Sequence, residues 1–190
     1  MSKQGLKNFF NHLRLVHTHR KYVRQMCFKM GIPIRGLLHD LSKYSIKELS
    51  ICKYYNGKQS PHEVARKEIG YSPSWMAHKA KNKHHWEYWT DNDSDANFYP
   101  VKIPYKYVIE SFCDMVGASK AYMKENFTRR SPKEYWDKQK DKRLYHKDTK
   151  ELLDTLFEAY ATDEEFVFLR VYKKRKKEIK AKYEGAKTNE

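Results

Sequence analysis

Signals for the start of a helix are the densest local pattern in this chain. A serine or threonine followed three residues later by glutamate is typical of a helix N-terminus, because both side chains can accept hydrogen bonds from backbone N–H groups that the helix leaves unpaired. Three Ser-Pro steps add prolines that suit a first helical turn. The capping patterns are "SIKE" at 45–48, "SPHE" at 60–63, "SPKE" at 131–134 and "TDEE" at 162–165.

These signals predict an all-α fold, a single-domain helical bundle. Alternating strand-like runs are absent, and the chain has only seven glycines. At 190 residues it suits one domain with one core. We predict a helical domain over residues 1–172, a basic tail over 173–190 and one long loop at 90–104. The predicted helices lie near 5–30, 34–43, 46–56, 61–69, 73–83, 104–124, 132–140, 149–161 and 163–183.

The charge of the chain favours an anionic ligand. The formal net charge is +15, of which residues 173–190 supply +5 through eight Lys/Arg against three Glu. Such a tail could hold nucleic acid or an acidic surface, and we favour the simpler interpretation of a solvated helix end. The remaining +10 does not identify the ligand.

Cysteine usage and hydropathy predict a cytoplasmic protein without a membrane span. The three cysteines are widely spaced among apolar residues, which is typical of buried reduced thiols and not of a disulfide framework. No apolar run approaches the roughly 18 residues of a membrane span. The first residues lack the apolar segment of a signal peptide.

Ionisable residues occur where a core is expected. In "GLLHDLSK" (36–43), His39 and Asp40 directly follow Leu37 and Leu38. Buried ionisable groups need a partner. We expect the two leucines to bury one side of a helix. Adjacent helical residues differ by about 100° around the axis, so a metal at the helix edge could contact both His39 and Asp40.

The first helix offers two candidate histidines. His19 lies on one apolar stripe, and His17 follows another at helical spacing. A lone histidine on such a stripe is more often a core residue than a ligand, so the residues leave this choice open. The stripe of His19 contains Val16, Val23, Met26 and Met30, and that of His17 contains Leu6, Phe10 and Leu13.

Two further segments add imidazoles and carboxylates. In the helix 105–124, Asp114 lies off the apolar face, beside small residues that allow close helix packing. In 75–89, His78 and His85 share a face if the helix continues, and His84 joins them only if it breaks near Lys83. Imidazole nitrogens with carboxylate oxygens and no thiolates are the ligand set for Mn, Fe, Ni or Zn.

The order of these residues resembles that of the HD-domain metal-dependent phosphohydrolases. "HDLSK" (39–43) looks like their HD-x-x-K version, and "KHHWEYW" (83–89) is similar to the paired histidines of the cyclic-dinucleotide phosphodiesterase branch. The Gly-rich segment of that branch is missing, which argues against its substrate. The phrases "HTHRKYV", "GLLHDLSKYS", "NKHHWEYW" and "FCDMVGASKAY" are similar to a small bacterial and phage family without established function, over most of residues 10–160.

The resemblance implies a site and a reaction. It selects His19 over His17 as the first histidine ligand. It also implies that Asp40 bridges two ions. The gap between His78 and His84 is shorter than is typical of the two-metal members. Two such ions, about 3.5–4 Å apart, would activate water for attack on a nucleotide or other phosphoester. Mn or Fe is the expected metal, with Ni, Zn or Mg as alternatives. The implied first-ion ligands are His19, His39, Asp40 and Asp114, and the second-ion ligands are Asp40, His78, His84 and His85.

Lys43 and three aromatic residues are the candidates for contact with a substrate. Lys43, one turn beyond Asp40, could meet a phosphate oxygen as a catalytic residue, or end a helix at the surface. Trp86, Tyr88 and Trp89 could stack a base or, as we favour, belong to the core. Two other classes stay open: a basic module that binds nucleic acid or protein, and a di-metal oxygenase.

Overall fold

The computed structural model describes residues 3–57 and 59–185. This part of the chain is an all-α, single-domain bundle, as predicted. Its only strands are a short antiparallel hairpin, β1 (Thr90–Asn92) and β2 (Phe98–Pro100). The α-helices are α1 (Lys3–Lys29), α2 (Pro33–Leu38), α3 (Ile46–Leu49), α4 (Pro61–Ile69), α5 (Pro73–Lys79), α6 (Tyr105–Met123), α7 (Ser131–Gln139), α8 (Lys147–Thr162) and α9 (Glu165–Gly185).

The predicted helix starts agree with the structure more closely than the predicted ends. Ser45 and Ser72 cap α3 and α5 by accepting hydrogen bonds from backbone N–H groups three residues on. Three predicted helices are shorter than expected: the one at 34–43 ends at Leu38, the one at 46–56 continues after Leu49 only as a 3-10 turn, and the one at 73–83 ends at Lys79. The loop expected at 90–104 contains the β1–β2 hairpin.

Helices α1 and α6 pack closely at the centre of the bundle. A Cβ added at Gly117 of α6 would lie 2.5 Å from the Cγ2 atom of Val23 on α1, so only glycine permits this approach. The predicted stripe of α1 is buried, including Val16, Met26 and Met30. The prediction of buried, unpaired thiols is confirmed for Cys27, Cys52 and Cys113.

The basic segment is helical as far as the structure describes it. Helix α9 continues to Gly185, and residues 186–190 of the predicted tail lie outside the described residues. Tyr183 is buried and donates a hydrogen bond to the carbonyl oxygen of Ile103, so this helix packs on the body beyond residue 173. None of the described helices combines the length and the apolar character needed to cross a membrane.

Candidate metal centre

His39 and Asp40 enter the core through a turn and not from a helix edge. Helix α2 ends at Leu38, and Asp40 adopts a left-handed conformation with φ 53°. Both residues are buried, whereas Leu37 and Leu38 are 50% and 51% exposed. The expectation that these leucines bury one side of a helix is therefore wrong. The buried residue of α2 is Gly36, where an added Cβ would lie 2.6 Å from the Cβ atom of Cys27.

Arg20 holds this turn against α1. Its Nε atom donates to the carbonyl oxygen of His39 at 2.8 Å, and its Nη2 atom donates to that of Leu37 at 3.1 Å. Its Nη1 atom contacts the hydroxyl of Tyr44 at 3.2 Å. Tyr44 in turn contacts Nδ1 of the exposed His17 at 3.0 Å. His17 thus lies on the outer side of α1, and His19 faces the turn.

Four ligand-type atoms converge beside the turn. The Nε2 atoms of His19 and His39 lie 3.1 and 3.2 Å from Oδ1 of Asp114, and 3.4 Å from each other. Both lie 3.4 Å from Oδ2 of Asp40. Ligands about 2.1 Å from one ion are about 3.0–3.4 Å apart at octahedral to tetrahedral angles. The spacing of this first cluster therefore suits a single ion.

A second cluster forms on the other oxygen of Asp40. Because α5 ends at Lys79, the chain folds back and brings His84 and His85 towards His78. The Nε2 atoms of His78 and His84 lie 3.4 and 3.5 Å from Oδ1 of Asp40. Among the described residues, the Nε2 atoms of His78, His84 and His85 are buried without a hydrogen-bond partner. Such unpartnered buried atoms are rare in proteins.

Two buried glutamates orient the ligand histidines. Oε1 of Glu110 lies 3.1 Å from Nδ1 of His39, and Oε2 of Glu48 lies 2.7 Å from Nδ1 of His78. Each bond leaves the Nε2 atom of its ring facing Asp40. Glu110 is itself held by Arg35, whose Nε lies 2.7 Å from its Oε2. Carboxylates behind metal-ligating histidines are the usual second layer of a metal site.

The carboxylates of this region attract positive charge. Burial disfavours the imidazolium of His39, but Asp40, Asp114 and Glu110 outweigh burial and raise its pKa to about 10. Burial also favours neutral acids, yet His39, Lys43 and His78 hold the pKa of Asp40 well below its usual range. Burial lowers the pKa of His84, and that of His85 falls still further. These two rings are neutral, as metal ligands must be.

Lys43 faces the site and not the outer surface. Its Nζ lies 2.7 Å from Oδ2 of Asp40, and its side chain lines a cavity of about 660 Å³. Both clusters open into this cavity through Asp40, His78, His85 and Asp114. Trp86 and Trp89 both pack against the core, and Trp86 also lines the cavity. Pockets of about 300–1,000 Å³ are typical of small-molecule sites.

The sequence reasoning missed the roles of Glu48 and Glu110. Glu48 belongs to the capping pattern at 45–48, which explains its presence without any site, and its side chain bonds His78 instead. Glu110 shares an otherwise uncharged stretch with Asp114, a signal that a second buried carboxylate lies there. The pairing of each glutamate with a histidine has no local signal.

The comparisons with known proteins agree with the expected resemblance to a family without established function. The comparisons with curated proteins and with solved structures found no match. The comparison with protein families matches residues 8–159, a span that contains every residue of both clusters and both supporting glutamates. On this match the chain belongs to DUF5662, a family of unknown function.

Proposed function

We propose that this protein is a metal-dependent phosphohydrolase of the HD type, which cleaves a nucleotide or another small phosphoester. The observation that carries the proposal is the position of Asp40. Its Oδ2 atom faces the His19–His39 pair and its Oδ1 atom faces His78 and His84. Oδ1 has no hydrogen-bond partner within the described chain, and Oδ2 is paired with the ammonium group of Lys43 at 2.7 Å. A buried carboxylate kept only for structure would be satisfied by hydrogen-bond donors.

The donor set indicates the metal. Imidazole nitrogens mixed with carboxylate oxygens suit Mn, Fe, Ni or Zn, whereas an all-oxygen shell suits Mg or Ca. We therefore expect one or two ions of Mn or Fe. Bound ions of this kind supply charge neutralisation at a phosphoryl centre and lower the pKa of water. The ligands would be His19, His39, Asp114 and Asp40 Oδ2 for one ion, and His78, His84, His85 and Asp40 Oδ1 for the other.

Lys43 would bind the substrate. Its ammonium group lies beside the shared carboxylate and lines the cavity. Burial disfavours the charged form, but the hydrogen bond to Asp40 and the negative charges of Asp40 and Asp114 outweigh burial and raise the pKa of Lys43. The group therefore stays charged at neutral pH. With Asp40 engaged as a ligand, Lys43 can donate to a phosphate oxygen in a charge-assisted hydrogen bond.

The test combines elemental analysis with a phosphoester panel. Protein purified without chelator should contain a transition metal and hydrolyse nucleotides or simple phosphoesters. Asp40→Asn should lose both the metal and the hydrolysis. Lys43→Ala should keep the metal and lose roughly tenfold to a hundredfold in rate, the equivalent of one charge-assisted contact.

Matched controls separate the site from general charge effects. Lys47→Ala and Asp141→Asn remove the same charges from exposed positions and should behave like the wild type. If no phosphoester is cleaved while tight, salt-sensitive nucleic-acid binding survives Asp40→Asn, the protein is a basic binding module, because release of counterions by Lys and Arg needs no metal.

A further inference from the structure

The cavity extends beyond the two ligand clusters. One part of its wall comes from α7, from the segment that follows α7, and from the 3-10 turn Trp86–Trp89 that directly follows His85. The side chains that line this part are Trp86, Glu87, Tyr135, Gln139, Arg143 and Tyr145. None of the six belongs to either ligand cluster. We call this wall the Glu87–Arg143 subsite.

Arg143 has hydrogen-bonding capacity to spare. It is partly buried, and its Nη2 atom donates to the hydroxyl of Tyr135 at 2.8 Å. No carboxylate of the described residues lies within ion-pair distance of its guanidinium. The three carboxylates nearest along the chain are already bound to lysines: Asp141 to Lys150, Asp148 to Lys102, and Asp137 to Lys133 and Lys140. A guanidinium carries five N–H donors, and the hydrogen bonds of Arg143 to Tyr135 and Tyr145 use only some of them, while its side chain lines the cavity.

Glu87 supplies a complementary acceptor. Its Oε2 atom is buried and has no hydrogen-bond partner within the described chain. Leaving a buried carboxylate oxygen unpaired is costly, so a group with N–H or O–H donors is its natural partner. Consecutive Cα atoms are about 3.8 Å apart, which places Glu87 within about 7.6 Å of His85 along the backbone. Glu87 is therefore a near neighbour of the second cluster, and both Glu87 and His85 line the cavity.

Flat aromatic faces line the same wall. The ring of Tyr145 is held at 5.2 Å from Trp136 and 6.3 Å from Trp86. The guanidinium of Arg143 lies 5.5 Å from the ring centre of Tyr135. Tyrosine and tryptophan faces stack planar heterocycles with little dependence on sequence or substituent.

We propose that the Glu87–Arg143 subsite binds the base of a nucleotide substrate, and that guanine is the base whose hydrogen-bond donors and acceptors match it. The carboxylate of Glu87 accepts from the ring N–H and the amino group, and Arg143 donates to the carbonyl oxygen and ring nitrogen. A second anionic group fits less well, because Glu87 would repel it. The inference rests on the proposed phosphohydrolase for the position of the phosphoryl group only. The subsite itself requires no metal.

Binding of guanosine to chelator-treated protein tests the subsite without hydrolysis. Isothermal titration should detect guanosine, and Glu87→Gln and Arg143→Met should each weaken it at least tenfold. Arg143→Lys should weaken it as well, because lysine keeps the charge and loses the planar fork. Glu134→Gln and Arg130→Met change exposed residues outside the cavity and should leave binding unchanged. Glu87→Gln is isosteric, and its melting temperature shows whether it is folded.

A second arm uses ribose 5-phosphate, the same phosphomonoester without a base. The subsite variants should reduce hydrolysis of GMP and leave hydrolysis of ribose 5-phosphate unchanged. The subsite is refuted if guanosine fails to bind the wild type, or if the variants weaken GMP and ribose 5-phosphate equally. Binding of guanosine without turnover of any phosphoester would instead refute the proposed function and leave the subsite standing.

Discussion

At the scale of the residue, the raised pKa of His39 shows that the site stabilises positive charge. Three carboxylates surround this buried ring, from Asp40, Asp114 and Glu110, and they stabilise positive charge on it. In the metal-free protein a proton supplies that charge. A bound metal would replace the proton, because a coordinating imidazole is neutral. Metal and proton therefore compete for the same position.

The raised pKa of His39 predicts a pH dependence of stability in the metal-free protein. The pKa of His39 is 6.5 in a model peptide and is raised to about 10 in the folded protein. A raised folded pKa stabilises the protein fully below pH 6.5, and this contribution is lost as the pH rises through about 10. Urea unfolding of chelator-treated protein should show a midpoint that falls across this window. In His39→Gln the fall should be smaller, and equal slopes in both proteins would contradict the assignment.

At the scale of the element, the packing of α1 on α6 sets the width of the first cluster. Helix α1 carries His19, and helix α6 carries Asp114 three residues before Gly117. The backbone of Val23 passes so close to Gly117 that an added Cβ would lie 2.9 Å from its amide nitrogen. Any side chain at position 117 must push the two helices apart and separate the ligands they carry.

Gly117→Ala should therefore reduce both stability and metal affinity. Overpacking of a rigid backbone contact costs about 1–3 kcal/mol. We expect a lower midpoint in chemical denaturation and weaker metal binding in a competition titration with a chromogenic chelator. Gly185→Ala is the control, since an added Cβ there meets nothing within 4 Å. Unchanged metal affinity in a destabilised Gly117→Ala would show that the helix spacing does not control the cluster.

At the scale of the whole molecule, the two clusters connect distant parts of the chain. Their residues come from α1, from the turn after α2, from α5 and the segment beyond it, and from α6. An ion bound here would join elements that are up to 95 residues apart in sequence, as the positions of His19 and Asp114 show. Binding energy at the site would then contribute to the stability of the folded state.

Removal of metal should thus lower the melting temperature. A ligand at a hundred times its Kd stabilises by about 2.7 kcal/mol, which corresponds to about 5–10 °C for a domain of this size. Differential scanning calorimetry with and without chelator measures the shift. Asp40→Ala should melt at the same temperature in both conditions. A wild-type transition that chelator leaves in place would instead indicate that the histidines are purely structural.

The sequence by itself determined the fold class and several local features. Ser45 and Ser72 cap their helices through bonds that reach three residues, so the necessary information lies within one turn. The buried stripe of α1 followed from helical periodicity alone. Gly117 lies beside Ala118 and Ala121, and these small residues predicted a close contact with a neighbouring helix. The all-α class could be predicted because each of these signals depends on neighbouring residues only.

The tertiary structure alone decided how the candidate site is assembled. Glu110 reaches His39 across 71 positions, and Glu48 reaches His78 across 30, so neither pairing has a signal within one segment of the sequence. The left-handed backbone of Asp40 costs about 1–2 kcal/mol for a residue with a Cβ. Local preference would have continued the helix. The turn forms because Arg20, from another helix, bonds the carbonyl groups on its N-terminal side, and that contact exists only in the folded protein.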